Sequence, residues 1–255
     1  TYEIFLKING FLGVFLIGVA VSSFFSGSHF SLNSQNFVQW QHPLRGLELL
    51  FNPYNYLLGF ALIFLSRILG TAYFMNNIND EAIKTKCIAK LKMNSLLFLP
   101  FFLGFLAWIF LKDGFFVSDE GVVSLQANVY LQNFLSYPIF AVLLLLGVIL
   151  VLLGMVQGAK KCTKAIWTLG VGTILCVFAL FLSVGLGSSA FYPSLSNLQS
   201  SLTIKNASSS YYTLSVMAYV SLFVPFVLAY IAYVWRAMDR VKITKEEIAN
   251  DEHAY

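Results

Sequence analysis

Histidine, cysteine and carboxylate side chains carry most ligand and acid–base chemistry, and in this 255-residue chain they avoid the apolar segments. His29, His42 and His253 all fall in polar connections or the C-terminal tail. A b-type haem inside a helical bundle needs His or Met ligands projecting from the helices. Met155 and Met217 come closest to that role, but a methionine set among Leu and Phe is ordinarily packing. The chain is therefore read as holding no haem of its own. Cys87, Cys162 and Cys176 form no CxxC motif and have no histidine at metal-ligand spacing, so free thiols are expected, with neither a disulfide framework nor a metal site. The pairs Asp80-Glu81, Asp119-Glu120, Glu246-Glu247 and Asp251-Glu252, with Asp239, lie outside the apolar runs and read as solvated surface. No phosphate loop and no nucleophile beside a base is visible. No catalytic residue is assigned, and cofactor-binding positions stay open.

One charged residue breaks this pattern. Arg67 lies well inside an apolar segment, where a cation is costly unless it is paired or reaches polar surroundings, so it is the membrane-embedded candidate for function. Its helical neighbours Ile63, Phe64, Gly70 and Thr71 offer a hydroxyl and small side chains but no carboxylate. Two readings stand side by side. Arg67 either extends along the helix to the nearer membrane surface, or contacts a second subunit.

The elements that must position these residues follow from hydropathy. The chain is 58% hydrophobic and 11% charged, with a mean hydropathy of +0.75, which makes the bilayer its solvent. The formal charge of +4 reflects loop lysines rather than a nucleic-acid surface, so no nucleic-acid partner is expected. Apolar segments at roughly 4–26, 54–75, 92–111, 138–157, 165–187 and 213–235 are each long enough to cross about 30 Å of hydrocarbon as a helix. Runs such as Val142-Leu143-Leu144-Leu145-Leu146 lack the alternation of a β-barrel strand. The predicted fold is an all-α polytopic membrane protein with six transmembrane helices arranged in bundles.

Lysine and arginine distribution sets the orientation. Lys7, the group Lys84, Lys86, Lys90 and Lys92, the group Lys160, Lys161 and Lys164, and the tail residues Arg236, Arg240, Lys242 and Lys245 fall on one side; Arg45, Lys112 and Lys205 fall on the other. The positive-inside rule places the first set, and both ends of this chain, in the cytoplasm. Loops 27–53, 112–137 and 188–212 then face outside. Gly59, Gly70, Gly147, Gly154, Gly170, Gly172, Gly185 and Gly187 permit close helix approach in lipid. Pro100 and Pro225 should each kink a span. Thr244 with Glu247 three residues on is a capping-box pattern that predicts a short helix over 245–251.

Several short motifs in one order carry a family resemblance. They are Leu50-Phe51-Asn52-Pro53 followed by Gly59, Gly70 and Tyr73; Ser188-Ser189-Ala190-Phe191-Tyr192-Pro193; Ser201-Leu202-Thr203; Asn206-Ala207-Ser208-Ser209; Thr213-Leu214 with Val216-Met217; Pro225; and Ile243-Thr244-Lys245-Glu246-Glu247-Ile248. Together they resemble the later part, about two-thirds, of subunit II of cytochrome bd-type quinol oxidases. The resemblance implies a non-haem subunit of a quinol:oxygen oxidoreductase in the bacterial inner (cytoplasmic) membrane, packed against a haem-bearing subunit I. Its further expected ligands are membrane lipid and a tightly held quinone between spans. It implies two repeated four-helix bundles in an intact subunit of about eight to nine helices: 1–75 would be the last two helices of the first bundle, 76–235 the second bundle and 236–255 a cytoplasmic tail. The family's embedded acidic residues linked to proton uptake lie N-terminal to the part resembled. Two other classes fit the hydropathy. A secondary transporter would use Arg67 and the kinked spans, and would require internal symmetry; a purely structural membrane subunit would differ only in its partner.

Overall fold

The computed structural model describes residues 2–240 and 242–244. Six helices or helix pairs are long and apolar enough to span a membrane: α1 (Tyr2–Ser26), α2 (Asn55–Asn77), α3 (Glu81–Leu111), α5 (Pro138–Ala159), α6 (Ala165–Gly185) and the pair α8 (Tyr211–Ser221) and α9 (Val224–Met238). The short helices α4 (Val129–Ser136) and α7 (Ile204–Ala207) lie in the connections. The expected all-α polytopic architecture is present, and five of the six segments match the hydropathy reading to within a few residues.

The third differs. Hydropathy starts it at residue 92, whereas α3 begins at Glu81, so Lys84, Lys86, Lys90 and Lys92 lie on helix rather than in a loop. The reason is local: the Asp80 side chain caps the helix by accepting the Ile83 N–H at 2.8 Å, and Glu81 sits at the positive end of the helix dipole. A hydropathy window sees only where the helix enters lipid. The two prolines also behave differently. Pro100 lies within an unbroken α3, but Pro225 sits in the first turn of α9, and the chain before it tightens into i→i+3 bonds, Leu222 N–H to Tyr219 O (3.1 Å) and Phe223 N–H to Val220 O (3.0 Å). The last span is therefore two helices. The capping-box helix expected over 245–251 lies outside the described residues.

Glycine decides how closely the spans pack. A Cβ on Gly18 would stand 2.6 Å from Gly59 Cα, and one on Gly172 would stand 2.7 Å from Val151 N, so α1 meets α2, and α5 meets α6, backbone against backbone. The core between the spans is aromatic and aliphatic, with Phe25, Ile68, Leu91, Phe105, Ile109, Leu169 and Val184 almost fully buried. α2 packs between α1 and α3, while α5 and α6 form a pair that touches α3 and α2. No residue of α8 or α9 is buried.

The three long connections, read from sequence as polar loops, form one ordered cap. β1 (Phe30–Leu32) pairs antiparallel with β2 (Val38–Trp40), and β3 (Asp113–Val117) with β4 (Val123–Ala127). Gly121, at φ +89°, turns the second hairpin in a conformation that glycine adopts without strain. Ser28 bridges Ser194, and Phe116 bridges Ser189, which ties the first and second connections to the third. Gln199 completes the join, its amide donating to Val123 O (2.8 Å) and accepting from Val123 N–H (3.1 Å). At the opposite end the tail returns to the α2–α3 turn: Ile243 pairs with Ile78, and Asn77 donates to Asp239 Oδ1 at 2.9 Å.

Candidate functional site

Arg67 is half-buried on α2, with its guanidinium carbon 5.4 Å from the centre of the Phe11 ring on α1. It makes no ion pair among the described residues. Thr71, read from sequence as a neighbouring hydroxyl, donates instead to the Arg67 backbone carbonyl at 2.9 Å.

The two histidines within the described residues meet in the cap, where sequence spacing gave no hint of it. His29 and His42 stand with ring centres 6.2 Å apart, beside the buried carboxylate of Glu48. Glu48 accepts hydrogen bonds from Ser28 Oγ (3.1 Å), His29 N–H (3.2 Å) and Gly46 N–H (2.6 Å). Burial alone would push this carboxyl up; the backbone N–H groups of Glu48, Gly46 and His29 with the Ser28 hydroxyl outweigh it and hold the group below its ordinary value. His42 Nδ1 accepts the Leu44 N–H at 3.2 Å and lies 3.8 Å from Glu48 Oε2. The cluster ties the chain just after α1, at Ser28 and His29, to Glu48 in the segment that precedes α2. Among the described residues no group of three His, Cys, Asp or Glu side chains is placed to hold a metal ion. His253 lies outside them. Met155 is buried in the apolar core and Met217 is exposed on α8. Cys87 and Cys176 are buried free thiols, and Cys162 is exposed on the α5–α6 turn.

A feature absent from the sequence reading lies where α3 meets the cap. Lys112 caps the C-terminus of α3 and inserts its ammonium among aromatic rings, 4.8 Å from the centre of Trp108, 5.5 Å from Phe115 and 5.9 Å from Tyr130. It donates to the Phe25 carbonyl at 2.5 Å. Desolvation lowers its pKa to about 8, against a smaller opposing pull from Asp113. The available signal was Trp108 four residues before Lys112, which places ring and ammonium on one face.

Beneath the cap an apolar cavity of about 330 Å³ lies among α1, α2, α3, α5 and α6, walled by Val21, Phe25, Leu58, Leu65, Phe102 and Val151 among others. Thr173 also reaches it, but its hydroxyl is already committed to Leu169 O at 2.8 Å. Such a cavity can take an apolar chain or tail and offers nothing to orient a polar reactant.

The fold defines a multi-pass helical membrane protein. Comparison with known proteins gives that class a family. The family model described as cytochrome bd terminal oxidase subunit II matches residues 1–238, and the chain belongs to that family. Cytochrome bd-I ubiquinol oxidase subunit 2 of Escherichia coli K12 is 28% identical over 263 residues, covering 97% of this chain and 67% of the relative. The proteins of the same name from Escherichia coli O6:H1 and O157:H7 match to the same extent.

Proposed function

We propose that this chain is the non-haem subunit II of a bd-type terminal oxidase, a multi-pass protein of the bacterial inner membrane. It supports the oxidation of quinol coupled to reduction of oxygen to water by packing against a haem-bearing subunit I. The observation that carries this reading is the family match over residues 1–238. The uncovered apolar surfaces of α8 and α9, with Phe226, Tyr230 and Tyr233 all exposed, support a partner seated against them. Haem chemistry belongs to that partner in this reading; the cavity of about 330 Å³ supports a quinone tail held here. Both ends of the chain face the cytoplasm, 1–75 completes a first bundle, 76–235 forms a second and 236–255 is a tail.

The transporter alternative is not favoured, since the matches are to oxidase subunits. Affinity purification through a tag on this chain tests the proposal. A co-purifying haem-bearing polypeptide, with quinol-dependent oxygen uptake by the complex, is the expected result. Purification of a haem-free complex whose vesicles accumulate a solute would overturn it.

A further inference from the structure

Helix α1 ends at Ser26, and the last carbonyls of any helix must find partners outside it. That of Phe25 is one of them. Two side chains converge on its oxygen from other elements, Lys112 Nζ from the end of α3 at 2.5 Å and Tyr130 Oη from α4 at 3.4 Å. The negative end of the α1 dipole gives the ammonium a counter-charge there. The Phe25 ring packs edge-on to both Tyr130 and Phe105, with ring centres 5.3 Å and 5.9 Å apart. Tyr130 is 0% exposed and Ser26 only 7%, so this chain by itself encloses both hydroxyls, whatever packs on the outside of the bundle.

The hydrogen bonds at this junction do not balance. The Ser26 hydroxyl oxygen is enclosed and has no hydrogen-bond partner among the described residues. An ammonium carries three N–H donors, and Lys112 spends one on the Phe25 carbonyl. The rings of Trp108, Phe115 and Tyr130 around it attract the charge through their faces, but they do not replace the lone pairs that the other two N–H groups have given up. Tyr130 Oη reaches the same carbonyl at a distance long for an O–H donor, and its own lone pairs are open. Enclosed polar groups left this way cost stability. A donor surplus, an orphaned hydroxyl and a free phenolic oxygen therefore meet around one helix end. A metal cation would be repelled by the ammonium, and an anion by the carbonyl end of α1. Water both accepts and donates, and so can serve all three groups.

We propose that one buried water completes the junction, accepting hydrogen bonds from Lys112 Nζ and the Ser26 hydroxyl and donating to Tyr130 Oη. Those are about three hydrogen bonds, the usual number for a buried water. The water joins the end of α1 to the end of α3 and to α4, and the site is independent of the oxidase reading because every residue in it belongs to this chain.

The test uses the protein purified from membranes with the subunits that accompany it. Brief synchrotron radiolysis makes hydroxyl radicals from bound water as well as from bulk, and mass spectrometry reads the oxidised side chains, each relative to its rate in the unfolded protein. Tyr130 is oxidised severalfold faster than Leu169, which is equally enclosed but lies in the apolar core. Ser26→Ala removes one of the three partners, so it cuts the Tyr130 rate severalfold and leaves Leu169 unchanged. An electron-microscopy map in which ordered waters are visible shows density within hydrogen-bonding reach of Lys112 Nζ, Ser26 Oγ and Tyr130 Oη, and the density persists when gluconate replaces chloride. Oxidation of Tyr130 no faster than that of Leu169 overturns the proposal. So does an unchanged Tyr130 rate in Ser26→Ala, a map without that density because the Ser26 hydroxyl has turned back onto α1, or density that vanishes without chloride and is therefore an anion.

Discussion

Lys112 shows how a single residue acquires a property that its type does not announce. Lysine normally ends a membrane helix by reaching into water, but this one turns into a box of Trp108, Phe115 and Tyr130 and meets one carbonyl, that of Phe25. Its pKa falls from 10.5 to about 8, chiefly through desolvation. For a base depressed in the folded state, the unfolded chain binds more protons between the two values, so stability rises as pH climbs from about 8 toward 10.5 and is unaffected by this group below about 8. Thermal melting of the unaltered protein and of Lys112→Met from pH 7 to pH 10 should diverge accordingly: the lysine protein gains on the methionine variant as pH passes about 8. Parallel pH profiles for the two proteins would show that the ammonium is solvated.

At the scale of the element, two glycines on one helix separate composition from structure. Gly170 and Gly172 both lie in α6, yet a Cβ on Gly170 meets nothing within 4 Å, whereas one on Gly172 stands 2.7 Å from Val151 N and 2.9 Å from Gly147 O. Gly170→Ala should be neutral or stabilise by up to about 1 kcal/mol through the unfolded chain's lost freedom. Gly172→Ala must push α6 off α5 and should destabilise by roughly 1–3 kcal/mol. Melting temperatures of the two variants check this, and equal values would mean that the α5–α6 backbones are not in contact. The same scale explains α3. Its lysine-bearing first turns are helix because Asp80 caps them, not because lipid demands it.

For the whole molecule, the cap and the lysine-bearing turns lie at opposite ends, and the native thiol of Cys162 reports on the lysine-bearing one. Cys162 is exposed on the α5–α6 turn, while Cys87 and Cys176 are buried. With the positive-inside orientation, a membrane-impermeant maleimide should leave Cys162 unlabelled in intact cells and label it in inside-out vesicles. A cysteine placed at Ser209, which is exposed beyond the cap, should behave in the opposite way. Labelling of both positions from the same side would reverse or break the proposed topology.

The sequence by itself determined the solvent, the number of spans and the isolation of Arg67, because hydropathy over about 20 residues is a sum that no tertiary contact alters. It also carried the family, through motifs such as Asn52-Pro53 and Ser188–Pro193 that fall in the ordered cap rather than in the spans. Tertiary structure alone decided which glycines touch, that His29, His42 and Glu48 share one corner, that Lys112 is enclosed by rings, and that Phe11 of α1 lies under Arg67 of α2. These are meetings between residues far apart in the chain or on different helices. They depend on helix rotation and loop path, and in a uniformly apolar span no polar stripe exists from which that rotation could be read.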